Sequence, residues 1–238
     1  MKNKFLVYCA DIGSELKESD SHFAWVNKSK KNDEFKNKGK TLISLAEDIF
    51  DNIEANPLIK IAIGFECPLY FDMHPDDSTK VTQGRKFGIS KGEEIGEGDR
   101  PWSGGPGANV LVTGLAQTTW LFYDLFEKLK GKVINPPEIF IMDSWEVFNI
   151  EESGIFIWEA FISKDDHSNN EDKKERHFGD AKKGLNAFFD EYDKHKDDKN
   201  ESNEQEYFSI IGSVLKSIGW AIKKEHLKRK CIVIPPRK

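Results

Sequence analysis

Phe5-Leu6-Val7-Tyr8-Cys9-Ala10-Asp11 is an apolar run that ends in a carboxylate and is followed at once by Ile12-Gly13-Ser14. A second run, Ile59-Lys60-Ile61-Ala62-Ile63-Gly64-Phe65-Glu66, closes the same way and turns into Cys67-Pro68. Runs of this length, rich in β-branched and aromatic residues and bounded by turn formers, predict strands. The second is apolar apart from Lys60, as a strand covered on both faces should be, so it belongs in the middle of a sheet. If the two lie side by side and parallel, both acids aim into the crevice beyond the strand ends, where open α/β sheets bind ligands. That arrangement suggests a divalent-metal site.

The flanking sequence builds an α/β domain around these strands. His22 to Val26 predicts a second strand, forming a hairpin with the first through the polar turn 15–21. Leu42, Ile43, Leu45, Ala46, Ile49, Phe50 and Ile53 recur at helical spacing, which predicts an amphipathic helix from about Thr41 to Ala55, ended by Pro57. Residues 70–107 are dominated by Asp, Lys, Gly and Pro and far exceed the about 4–6 residues of an ordinary connection, so they are expected to form a long loop insertion. Residues 108–129 are apolar around most of a helical circumference and predict a buried helix on the sheet. A strand pair is expected over 138–143 and 155–162, and a short helix over 181–189 between polar loops at about 163–177 and 190–206. Another helix follows over 208–222, then an edge strand over 231–234. The alternation gives a mixed sheet with helices on both faces.

Bulk properties narrow the function. A chain of 238 residues suits one domain spanning 1–238. Its 35 Lys and Arg against 41 acids leave a formal net charge of -6, so no overall basic field draws it to nucleic acid. A nucleic acid or nucleotide partner would have to be small or single-stranded and met locally. Cys9, Cys67 and Cys231 show no metal-ligand spacing and read as buried thiols in a reducing compartment. No apolar stretch reaches the roughly 18 residues of a membrane span, and residues 1–11 do not read as a signal peptide. The expected location is the cytoplasm.

Phosphodiester hydrolysis with two divalent ions needs converging carboxylates, because hard oxygen ligands hold such metals. Asp11 and Glu66 are the best-placed pair, although strand-end acids also serve as turn caps and ion-pair partners. Glu159 interrupts an apolar strand and, if buried, needs a metal or a partner. Asp143 also ends an apolar run and could take its place. Asp180 precedes a helical pattern and could be a ligand or an N-cap, and His177 reads as a surface histidine. In Arg100-Pro-Trp-Ser-Gly104-Gly105-Pro-Gly107, glycine-rich backbone leading into a helix would offer N–H groups to a substrate phosphate, with Arg100 beside it. There is no Lys-Ser/Thr after the glycines, so this is not a Walker A loop.

Taken in order, these residues resemble a known group. Cys9-Ala-Asp11-Ile-Gly-Ser14, Gly64-Phe-Glu66-Cys-Pro-Leu69, Arg100-Pro-Trp-Ser103, Trp158-Glu159-Ala-Phe161, Asp180-Ala181 and Phe208-Ser-Ile-Ile-Gly212 are similar to motifs of uncharacterised bacterial proteins classed as predicted RNase H-like nucleases. The resemblance implies an RNase H-like fold and an Mg²⁺- or Mn²⁺-dependent nuclease or related phosphoryl hydrolase. Asp11 and Glu66 would match the acids of its first and fourth strands, with Glu159 and Asp180 completing the metal site. Such nucleases carry a last acid on the terminal helix, and 208–222 has none, so Glu206 or Asp180 would stand in. The competing reading is a non-catalytic binding or assembly module that offers the 70–107 loop to a protein partner.

Overall fold

A computed structural model describes residues 5–13, 22–31, 33–72, 86–90, 93–96, 105–161, 173–197 and 207–234. The chain opens with β1 (Phe5–Asp11), β2 (Ala24–Lys28) and β3 (Asn37–Gly39), each antiparallel to the one before. β3 falls in a Lys/Asn-rich stretch with no apolar alternation, which is why the sequence does not announce it. Helix α1 (Leu42–Ala55) starts where Thr41 accepts a hydrogen bond from the Ser44 N–H at 3.1 Å, and it buries Leu45, Ala46, Ile49 and Ile53. β4 (Lys60–Phe65) returns parallel to β1.

The connection that follows is not all loop. It contains β5 (Tyr70–Asp72) and an antiparallel pair, β6 (Lys86–Ser90) and β7 (Glu93–Gly96), before α2 (Gly105–Leu129). β8 (Ile139–Ile141) and β9 (Gly154–Ala160) do pair, but in parallel, because α3 (Trp145–Ile150) takes up the connection. α4 (Lys173–His195) comes next, then β10 (Tyr207–Ser209), which pairs with β5, then α5 (Ile210–Ile218). α5 ends at Ile218, four residues short of the expected Ile222, because Gly219 takes a left-handed conformation at φ 116°. A 3-10 turn, Lys224–Lys228, precedes β11 (Val233–Ile234).

The main sheet runs β11-β9-β4-β1-β2-β3, with β8 sharing the outer edge of β9. β1, β4, β8, β9 and β11 are mutually parallel, so the protein is α/β with a mixed sheet, and β4 is central as its composition requires. Side chains alternate across it. Leu6, Tyr8, Ala10, Ile61, Ile63 and Phe65 face α1 and α2, whereas Val7, Cys9, Ala62, Phe156 and Trp158 face α4. Among the described residues no helix is long and apolar enough to cross a membrane, and all three cysteines are buried thiols.

α4 corrects the expected short helix. It spans 23 residues and absorbs ends that read as polar loops. Its charges mark the solvent side of an amphipathic helix, while Phe178, Ala181, Leu185, Phe188 and Phe189 cover the sheet. Asp180 therefore lies in the third turn and is not an N-cap.

At the amino end of the strands the packing is aromatic. Phe148 of α3 contacts the rings of Phe5, Trp145, Phe156, Phe188 and Tyr192, at centroid separations from 5.1 to 6.5 Å. Lys60 is buried there. Its ammonium donates to the carbonyls of Phe148 and Glu151 and lies 4.1 Å from the Phe148 ring centroid. Burial pulls its pKa down to about 8, against a smaller opposing pull from Glu151.

Candidate acidic crevice

The hydrogen-bonded register between β1 and β4 reaches Ala10 opposite Phe65, and the Glu66 N–H then donates to the Ala10 carbonyl at 3.0 Å. Asp11 and Glu66 are thus the next residues on neighbouring parallel strands, about 4.8 Å apart along the sheet. Strand alternation assigns both to the α4 face, in line with Val7 and Cys9 on one strand and Ala62 on the other. Cys9 lies one step beneath them. Burial first, then the charges of Glu66 and Asp11, push its thiol well above its ordinary pKa, so both carboxylates act on the same sulfur.

α4 brings an imidazole to this point. His177 Nδ1 lies 2.6 Å from Asp11 Oδ2, and its Nε2 lies 3.1 Å from Nδ1 of His22, just ahead of β2. The two rings meet edge to face at 5.1 Å. With both imidazoles neutral, His177 donates to Asp11 through Nδ1–H and accepts from His22 at Nε2. Asp180 follows His177 by three residues, which places it on the same helical face about 4.5 Å farther along the axis. It is 7% exposed, and the half-exposed Lys183 ammonium lies 3.4 Å from its Oδ1.

Two buried polar atoms near this end lack a partner among the described residues, Trp158 Nε1 and Gln117 Oε1. Trp158 pairs with Gly64 in the register below Glu66, and its indole lies where a Cβ on Gly64 would stand, so glycine is the residue that fits. Gln117 Nε2 donates to the Gly13 carbonyl at 2.5 Å, which fixes the turn after Asp11 to α2.

The other expected site residues fall elsewhere. Glu159 pairs with Phe65 in the row of Ala10, so it is on the opposite face, and its Oε2 accepts from the Leu69 N–H at 3.1 Å. It secures the chain after Glu66 and does not enter the crevice. Asp143 is held by Arg229 Nε at 3.1 Å, and burial raises its pKa against the pull of that guanidinium. Gly105 and Gly107 belong to the first turn of α2 rather than to a loop. Arg100, Gly104 and Glu206 lie outside the described residues. The last α-helix, α5, carries no acid, and Asp180 lies on the earlier α4, which follows β9 and packs on β1 and β2. The sequence reading missed His22 and undervalued His177. No local signal marks a pair 155 residues apart.

Fold and crevice together define a class, an α/β protein whose parallel strands present adjacent acids at their carboxyl ends, met there by an imidazole from a helix. No particular relative sharpens it: no protein-family model, curated protein or solved structure matches the chain.

Proposed function

We propose that the chain is a divalent-metal-dependent nuclease of RNase H-like type, with its centre at Asp11, Glu66, His177 and Asp180. The observation that carries the reading is the pairing of β1 with β4, which sets Asp11 beside Glu66 on the face that α4 covers. Element order supports it. A hairpin with an acid on its first strand, a helix, a parallel strand followed by an acid, a helix, parallel strands and a helix come in the order the resemblance implies, with β5–β7 and α3 interposed and the acid Asp180 on α4 rather than on the terminal helix. Glu159 drops out of the site and His177 enters it.

The donor chemistry fits Mg²⁺ or Mn²⁺: Asp11, Glu66 and Asp180 offer hard oxygens, and the His177 nitrogen favours the manganous ion. Among the described residues no three such side chains are gathered closely enough to hold an ion, so metal binding must compete with the Asp11–His177 contact. A bound ion would supply charge neutralisation at a phosphodiester and a more acidic water. The chain itself sets one carboxylate at the end of β1 and another just past β4, and places His177 against Asp11 with His22 behind it, an arrangement suited to acid–base work.

The test is thermal unfolding with and without Mn²⁺ or Mg²⁺, paired with cleavage of a labelled single-stranded oligonucleotide. Wild type should melt higher with Mn²⁺ and cleave, and Asp11→Asn and Glu66→Gln should do neither. A wild-type protein indifferent to both ions and inactive on the oligonucleotide would sink the proposal.

A further inference from the structure

Beside the crevice runs a positive strip that the acidic composition conceals. Between residues 28 and 40 the chain carries six lysines against two acids, in a protein of net charge -6. Lys38 and Lys40 occupy alternate positions along and just past edge strand β3, and both ammonium groups lie over the Phe178 ring, at 5.3 and 5.4 Å from its centroid. One helical turn on from Phe178, Lys182 places its ammonium 5.5 Å from the Phe35 ring. Phe178 directly follows His177, so the strip begins at the residue bonded to Asp11.

Not every nearby lysine is available. Lys28 is buried and bonded to the Lys31 carbonyl and to Asn186, Lys31 is paired with Asp190 and Asp193, and Lys183 with Asp180. Lys38 and Lys182, in contrast, form no ion pair among the described residues and carry the strip's uncompensated charge. The aromatic rings hold these stems in place rather than neutralising them, since a ring attracts an ammonium without cancelling its charge.

We infer that Lys38, Lys40 and Lys182 form a phosphate track that guides a single nucleic acid strand into the Asp11–His177 crevice. Lys38 and Lys40 each stand within 5.4 Å of one centroid, so they are at most about 11 Å apart, and a strand with one charge per roughly 3.4 Å places two or three phosphates in that span. Phe178 is only 6% exposed, so it offers neither a face for base stacking nor an apolar anchor for a bilayer. Recognition through phosphates alone is independent of base sequence. The choice of a nucleic acid as the polyanion rests on the nuclease reading, whereas the strip itself does not.

The test is anisotropy of a labelled single-stranded oligonucleotide titrated with protein across a series of KCl concentrations. Lys38→Gln/Lys40→Gln/Lys182→Gln should weaken binding at least tenfold at low salt and flatten the slope of log K against log salt by about two, near 0.7 per lost phosphate contact. The corresponding triple arginine variant should bind as wild type. Lys130→Gln/Lys216→Gln, which removes two exposed lysines elsewhere, should change nothing. Unchanged affinity and slope in the glutamine triple variant would overturn the track, as would binding of vesicles containing anionic lipid without binding of the oligonucleotide. The Mn²⁺-induced rise in melting temperature separates the two proposals. If wild type lacks that rise while the glutamine triple variant still loses the oligonucleotide, the metal reading falls and the track stands.

Discussion

The two ends of the sheet handle polar groups in opposite ways. At the amino end Lys60 is buried among Phe148 and Phe156, and its ammonium is answered by two backbone carbonyls. At the carboxyl end like charges are set side by side, an imidazole chain reaches from α4 to the start of β2, and a buried indole N–H and a buried amide oxygen have no partner among the described residues. Folding alone accounts for the first arrangement, because each polar group there is satisfied. It does not account for the second, and departures from local consistency of that kind mark functional sites.

The largest expected effect breaks the amino end. Phe148 is fully buried and its ring meets five aromatic neighbours, so Phe148→Ala should cost about 3–5 kcal/mol in urea unfolding. A loss below about 1 kcal/mol would show that the aromatic cluster is loosely packed and would remove one side of the comparison.

Two buried bases then separate structural from leftover polarity. His226 Nδ1 accepts from the Ile141 N–H at 3.2 Å, and burial, with Arg229 adding to it, lowers its pKa from 6.5 to about 4. The unfolded chain binds the proton more readily between those values, so stability is present above pH 6.5 and falls as pH drops toward 4. The loss should total about 3 kcal/mol, at 1.36 kcal/mol per tenfold, and His226→Gln should flatten it. Lys60 has the same sign in a different window: its folded pKa of about 8 lies below 10.5, so stability climbs as pH rises from 8 toward 10.5. Lys60→Met should lack that climb, again about 3 kcal/mol, when the two proteins are compared by urea unfolding at pH 7.5 and 10.5. Equal slopes in wild type and variant would mean that the ammonium stays hydrated.

Much of the frame was legible in the chain. The apolar runs ending at Asp11 and Glu66, and the periodicity of 42–55, specify β1, β4 and α1 because burial dictates their composition. β3 and most of α4 were not legible, since an edge strand of Asn37-Lys38-Gly39 and a helix with a charged outer face carry little apolar signal. The site divides along the same line. The Asp11 and Glu66 positions follow from strand direction, but the exclusion of Glu159 depends on register, and one residue of register decides which face a side chain takes. The His22–His177 contact depends on packing between segments remote in sequence.

The smallest effect tests the carboxyl end most directly. Two carboxylates separated by one strand spacing, about 5 Å, would repel by roughly 1 kcal/mol in water and about 3 kcal/mol at an effective dielectric constant of 20. Glu66 is only partly buried, so solvent screening keeps the true figure near the lower value. Glu66→Gln removes the repulsion while keeping the shape of the side chain and its capacity to accept hydrogen bonds. Without metal it should therefore stabilise the fold by up to about 1 kcal/mol, and the gain should shrink as salt rises from 0.05 to about 0.5 M because exposed charges are then screened. The same variant should lose the Mn²⁺-dependent rise in melting temperature. A stabilising substitution that abolishes ligand response is the pattern of a site that gives up stability for function. If Glu66→Gln instead costs more than about 1 kcal/mol at every salt concentration, Glu66 is a structural acid in the manner of Glu159, and the two ends of the sheet no longer differ in kind.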